Sequence, residues 1–78
     1  MNWRDHITVD PAVCHGKACI KGTRVMVSVV LDNLAAGEAP QDVARWYEIS
    51  ADDVRAALAY AADLARERVV PLPAARAG

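Results

Sequence analysis

Phenylalanine is missing from this 78-residue chain, and two tryptophans and two tyrosines are its only aromatics. The apolar share, 54%, is carried largely by alanine and valine, a composition that suits a folded chain and excludes a disordered one. Cysteine is scarce: Cys14 and Cys19 are too few for a disulfide framework. An excess of charge is missing too, since the net charge is −1 and gives no general basic field of the kind many nucleic-acid binders carry. No apolar run approaches a membrane span, and Met1-Asn2-Trp3-Arg4-Asp5-His6 lacks the apolar core of a signal peptide. These absences set the expectation of a cytoplasmic protein that does not enter membranes and keeps its thiols reduced. They leave Cys14 and Cys19 as small buried hydrophobes.

Site chemistry is as thinly represented. Cys14, His15 and Cys19, with His6 upstream, include enough borderline ligands for zinc, but the Cys-x4-Cys spacing matches no strong zinc pattern. The stretch from Gly16 to Thr23 is no phosphate loop, because its spacing and its ending are wrong. No pair of carboxylates marks a small catalytic pocket. The expectation is a non-enzyme with no metal and no cofactor.

What the chain does have is one segment where glycines, cations and β-branched residues interleave: residues 16–27, with Lys17, Lys21 and Arg24 and no acid among them. Ile20, Val25 and Val27 favour extended backbone, while Gly16 and Gly22 permit turns. Before it, Met1 to His6 reads as a loosely held end, although Trp3 needs an apolar partner. Ile7-Thr8-Val9 alternates as a short strand closed by Asp10-Pro11. A second strand is expected over residues 17–20, a turn at Lys21-Gly22-Thr23, and further extension from Arg24 to Met26. Strands this short must lie on helices or pair with a second copy of the chain.

The remainder reads as three helices. Val27, Val30, Leu31 and Leu34 form one stripe over residues 27–36, stopped by Gly37. Pro40 opens a short helix over residues 40–47 whose inner face is Val43, Ala44 and Tyr47. Ser50 and Asp53 resemble a capping box with aspartate in place of glutamate, and they start a helix over residues 51–69. Its expected face is Val54, Ala57, Leu58, Ala61, Leu64, Ala65 and Arg68. Pro71 and Pro73 forbid continuation, so residues 1–70 read as one domain and 71–78 as a flexible tail. A core this small is marginal alone, and oligomerisation, a homodimer or higher, is the expected remedy.

The order Asp10-Pro11, Gly16-Lys17, Ile20-Lys21-Gly22-Thr23-Arg24-Val25, Leu34-Ala35-Ala36-Gly37 and Ala57-Leu58-Ala59-Tyr60-Ala61 resembles the bacterial family known as domain of unknown function 433. The resemblance covers Ile7 to about Ala62. It implies a mainly α, trihelical, helix-turn-helix-like fold (homeodomain-like or winged-helix-like) with short N-terminal β-strands. It also implies an antitoxin, often encoded beside a PIN-like ribonuclease toxin and able to repress its own operon. The family commonly has proline at the positions of Ala18 and Met26, and serine or threonine at that of Ala39. The last departure removes a side-chain cap worth about 1 kcal/mol.

Two surfaces follow as candidates. For promoter DNA they are Lys17, Lys21 and Arg24, with Arg55 at the start of the third helix. Asp52 and Asp53 beside Arg55 would repel phosphate and favour a purely structural role for that helix. Lys17 and Lys21 read equally well as a solvated loop. Arg24 reads more readily as structural, paired with Asp10 or Asp32 through its guanidinium fork. For a protein partner the candidates are Trp46, Arg66, Arg68 and Leu72. Adjacent helical positions point about 100° apart, so Trp46 and Tyr47 cannot share one core, and Trp46 is the outward one. Residues 66–72 would cover the nuclease cleft, with Arg66 or Arg68 reaching its acidic metal-binding carboxylates. The alternatives are a stand-alone DNA-binding regulator or a small oligomeric scaffold.

Overall fold

The computed structural model describes residues 2–67. After a single 3-10 turn, Trp3–Asp5, come β1 (Ile7–Asp10), β2 (Val13–Ile20), α1 (Val27–Ala35), α2 (Pro40–Trp46) and α3 (Ala51–Glu67). The fold is mainly α, with one two-stranded antiparallel sheet at its N-terminal end. No helix among the described residues is long and apolar enough to cross a membrane.

Local chemistry sets most boundaries. The turn after β2 is tied by Thr23, whose hydroxyl donates to the Ile20 carbonyl (2.8 Å) and accepts from the Val25 amide (3.0 Å). Gly22 supplies the positive φ of +81° that this turn requires. Val25 then returns along β2, its carbonyl accepting from the Ile20 amide at 2.9 Å. Gly37, at φ +96°, ends α1 as expected. Neither Met26 nor Ala39 gives a side-chain cap, so α2 starts on Pro40 alone. At α3 the capping box is complete: Ser50 Oγ accepts from the Asp53 amide, and an Asp53 carboxylate oxygen accepts from the Ser50 amide, both at 3.0 Å.

The core is aliphatic. Ile7 and Ile20 from the sheet meet Val27 and Val30 of α1, Val43 and Ala44 of α2, and Val54, Ala56 and Ala57 of α3. Tyr47 packs against this core while its hydroxyl accepts from Asn33 Nδ2 at 3.0 Å.

Three expectations need correction. The N-terminal segment is not loose. Asn2 caps its turn by accepting from the Arg4 amide, and Trp3 packs edge-on against Tyr60 with ring centroids 5.0 Å apart. The Trp3 indole N–H also donates to Asp63, and Arg4 stacks over the Trp3 ring at 4.4 Å. That docking accounts for the second correction. The buried face of α3 keeps Val54 and Ala57 of the expected stripe but turns toward Ala56 and Tyr60, the side on which Trp3 docks. Ala56 is buried, whereas Leu58 and Leu64 remain 46% and 38% exposed. The third concerns the cysteines: Cys14 and Cys19 are joined by a disulfide instead of standing as reduced thiols. Smaller differences are that β2 begins at Val13, α1 ends at Ala35 and α2 at Trp46. Residues 68 and 69, assigned to the third helix, and the expected tail, residues 71–78, lie outside the described residues.

Asp53 also holds His6, whose Nδ1 lies 2.9 Å from its second carboxylate oxygen. Burial pushes the Asp53 carboxyl up, but the Ser50 amide and the His6 ring together pull it below the ordinary 3.8. Asp63 is also held below 3.8, by the Trp3 indole N–H first and then by Arg66. A carboxyl whose folded pKa is depressed stabilises the fold above its unfolded value and loses that contribution as pH falls through the folded value. The urea midpoint should therefore fall as the pH drops below 3.8. Asp53→Asn should be the less stable protein at pH 7, and its deficit should shrink in acid. Separately, Val30 is fully buried, so Val30→Ala should cost roughly 2–3 kcal/mol in a urea titration.

Candidate functional site

The hairpin formed by β1 and β2 is the most unusual part of the chain. Its register pairs Ile7 with Ile20, Thr8 with Cys19 and Val9 with Ala18, and then jumps to pair Asp10 with Val13. Residues 14–17 are thus looped out of β2. Three successive residues there take positive φ: Cys14 at 52°, His15 at 56° and Gly16 at 80°. For the two non-glycines this conformation costs about 1 kcal/mol or more each. The excursion brings the Cα atoms of Cys14 and Cys19 within 6.8 Å and closes the disulfide across its base. Five residues of regular strand would have separated them by about 16 Å, and for that reason the spacing alone gave no sign of the bond.

This loop and the following turn present the three hairpin cations. Lys17, Lys21 and Arg24 are exposed, and among the described residues none has a carboxylate within 4.0 Å. Arg24 is therefore not paired with Asp10 or Asp32. Instead it lies between two shallow clefts, one lined by Thr8, Val13, Gly22 and Thr23, the other by Pro11, Ala12, Cys14, His15 and Met26. Its carbonyl oxygen is 3.4 Å from Cys14 Sγ. Lys17 borders a different groove, with Ala18, Val27, Ser28, Leu31, Tyr60 and Leu64. The cations are thus spread around the hairpin.

The helical arginines are in the opposite state. Arg45 pairs with Asp42 at 2.8 Å, Arg55 with Asp52 at 3.4 Å, and Arg66 with Asp63, each acid three residues ahead of its base. Such exposed pairs contribute only about 0–1 kcal/mol, but each places a negative charge beside the cation. Arg55 therefore stands on α3 beside a carboxylate, while the second acid there, Asp53, is committed to Ser50 and His6. The signal was available in the sequence as Asp-x-x-Arg repeated three times, a spacing that makes neighbours on a helix.

Among the partner-binding candidates, Trp46 is 51% exposed at the end of α2, as its position beside the inward Tyr47 predicts. Arg66 is exposed and engaged with Asp63. Arg68 and Leu72 lie outside the described residues. No three histidine, cysteine or acidic side chains among the described residues are grouped to hold a metal ion. His6 is engaged with Asp53, and Cys14 with Cys19.

The sequence pattern of the family described as "Protein of unknown function (DUF433)" matches residues 7–61. Among solved structures, the chain is similar to the crystal structure of Rv2018 from Mycobacterium tuberculosis, at 34% identity and a TM-score of 0.66. That similarity covers 73% of this chain and 27% of Rv2018, so the chain spans about a quarter of that protein's length. No curated protein matches. If Trp46 serves a surface and not the core, Trp46→Ala should change folding stability by no more than about 1 kcal/mol, measured by urea denaturation.

Proposed function

The chain belongs to the DUF433 family, and on that premise we propose that it is the antitoxin-type component of a toxin–antitoxin pair, a binding module and not an enzyme. It neutralises a PIN-like ribonuclease by occupying its cleft and represses its own operon by binding promoter DNA. The observation that carries the DNA part is the division of the cations. The helical arginines Arg45, Arg55 and Arg66 have aspartates beside them, whereas Lys17, Lys21 and Arg24 on the hairpin do not. An unpaired surface cation releases counterions when it meets a phosphate, and one with an acid at its side gives part of that gain away. DNA is therefore contacted by the hairpin in preference to the start of α3, with Arg55 a minor contributor. For the nuclease, the reading rests on the family resemblance and on the exposed ring of Trp46, an aromatic of the type that anchors protein interfaces. Arg66 would exchange Asp63 for the acidic metal-binding groups of the nuclease.

The same division of cations also supports the second reading, a stand-alone DNA-binding regulator. Two experiments distinguish and test them. Gel-shift titrations on the chain's own upstream DNA should give a steep salt dependence. Replacing Lys17, Lys21 and Arg24 with alanine should reduce the slope of log K against log salt by about 3, and Arg55→Ala should reduce it by less than 1. Equal losses from both variants would place the contact on α3 instead. Co-purification from the native host at moderate salt should yield a stoichiometric small nuclease, weakened by Trp46→Ala and by Arg66→Ala with Arg68→Ala. Recovery of the chain alone, with the DNA shift intact, would favour the regulator.

A further inference from the structure

The Cys14–Cys19 bond joins two sulfurs of unequal access. Cys19 is fully buried, whereas Cys14 is half-buried and lines the cleft that it shares with Pro11, Ala12, His15, Arg24 and Met26. A reagent from solution therefore meets the bond at Cys14. Arg24, exposed at the same cleft, supplies positive charge that draws an incoming thiolate.

Both sulfurs also have a backbone oxygen beside them. The Arg24 carbonyl lies 3.4 Å from Cys14 Sγ, and the Lys17 carbonyl lies 3.6 Å from Cys19 Sγ. If the bond is broken, each thiol has an acceptor for its weak S–H donor, and the buried Cys19 is not left without a partner. The aliphatic cluster between sheet and helices is built without either cysteine. Below the loop, the pairs Ile7–Ile20, Thr8–Cys19 and Val9–Ala18 hold β1 to β2. The fold thus accommodates the dithiol as well as the disulfide.

What depends on the bond is the loop it closes. Gly16 takes positive φ freely, but Cys14 and His15 do so at a cost, which the closed ring offsets by holding its ends together. Lys17 lies inside that ring.

We propose that Cys14 is a site of reversible exchange with small thiols of the glutathione class, and that this exchange opens and closes the loop over residues 14–17. A thiolate attacks Cys14 Sγ, the bond to Cys19 breaks, and Cys19 leaves and takes up the proton that the attacking thiol shed. A second thiolate then attacks the small-thiol sulfur of the mixed disulfide, and Cys14 is released and protonated in turn. Two small thiols are oxidised to their disulfide, and the Cys14–Cys19 bond is reduced to two thiols. In the reverse direction Cys14 attacks the small disulfide, and Cys19 resolves the adduct.

Trypsin can read this directly, because cleavage after Lys17 places the two cysteines on separate peptides, residues 5–17 and 18–21. The unsubstituted chain is incubated with reduced glutathione without denaturant, alkylated, digested and weighed by mass spectrometry. The mixed disulfide should appear on residues 5–17 alone, and excess reagent should yield both thiols while circular dichroism keeps the native helix signal. Limited digestion of the folded chain should cut after Lys17 about tenfold faster in the dithiol than in the disulfide. Oxidised glutathione should restore the bond and slow the cut again. An adduct on Cys19, a bond that resists glutathione until the chain unfolds, or loss of helix signal on reduction would overturn the proposal. So would two thiols that oxidised glutathione fails to join, or equal cutting after Lys17 in both forms.

Discussion

The carboxylate of Asp53 joins two parts of the chain that lie 47 residues apart. One oxygen accepts from the Ser50 amide and starts α3, and the other meets the His6 ring immediately before β1. A cap alone would leave the hairpin free to move relative to the helix, and a His–Asp contact alone would leave the helix start undefined. With both made by one group, the entry to β1 is fixed relative to the first turn of α3. Further along the same helix, Trp3 against Tyr60 and Asp63 provides a second attachment. Two fastenings on one helix set its rotation as well as its position, and they determine which of its residues face inward.

That rotation shapes the surface. Once Ala56, Ala57 and Tyr60 are turned toward the N-terminal segment and the core, Leu58 and Leu64 are left partly exposed and Arg55 faces water beside Asp52. Acid–base pairing along the helices then consumes their charge locally. The hairpin has no such pairing. Its looped-out residues 14–17, closed by the Cys14–Cys19 bond, and its turn at Gly22 hold three cations where no described carboxylate reaches them. A chain with almost no net charge can in this way keep a locally basic surface, because the neutralising acids lie on different elements.

Much of the local structure was legible from residues close in sequence. The stripe Val27, Val30, Leu31, Leu34 with Gly37 beyond it gave α1 to within a residue. Pro40 gave the start of α2, Ser50 and Asp53 gave the start of α3, and the neighbours Trp46 and Tyr47 divided correctly into outward and inward residues. The family resemblance led to the same trihelical body. The face of α3 was legible only in part: Val54 and Ala57 face inward as expected, but periodicity along an alanine-rich helix admits neighbouring stripes, and the docking of Trp3, 60 residues away from Asp63, goes with the one that buries Ala56 and exposes Leu58. The disulfide was hidden for a related reason: spacing predicts distance only when the strand is regular, and here four residues leave the ladder.

The sequence by itself thus determined what short-range forces decide: helix starts and stops, turn glycines, capping, and a run of three cations with no acid among them at residues 17–24. The tertiary structure alone decided the rotation of α3, the anchoring of the N-terminal turn, the pairing of Cys14 with Cys19, and the freedom of Arg24 from Asp10 and Asp32. Each of these depends on contacts between groups distant in the chain or on an irregular backbone path. Neither leaves a periodic trace in the residues themselves.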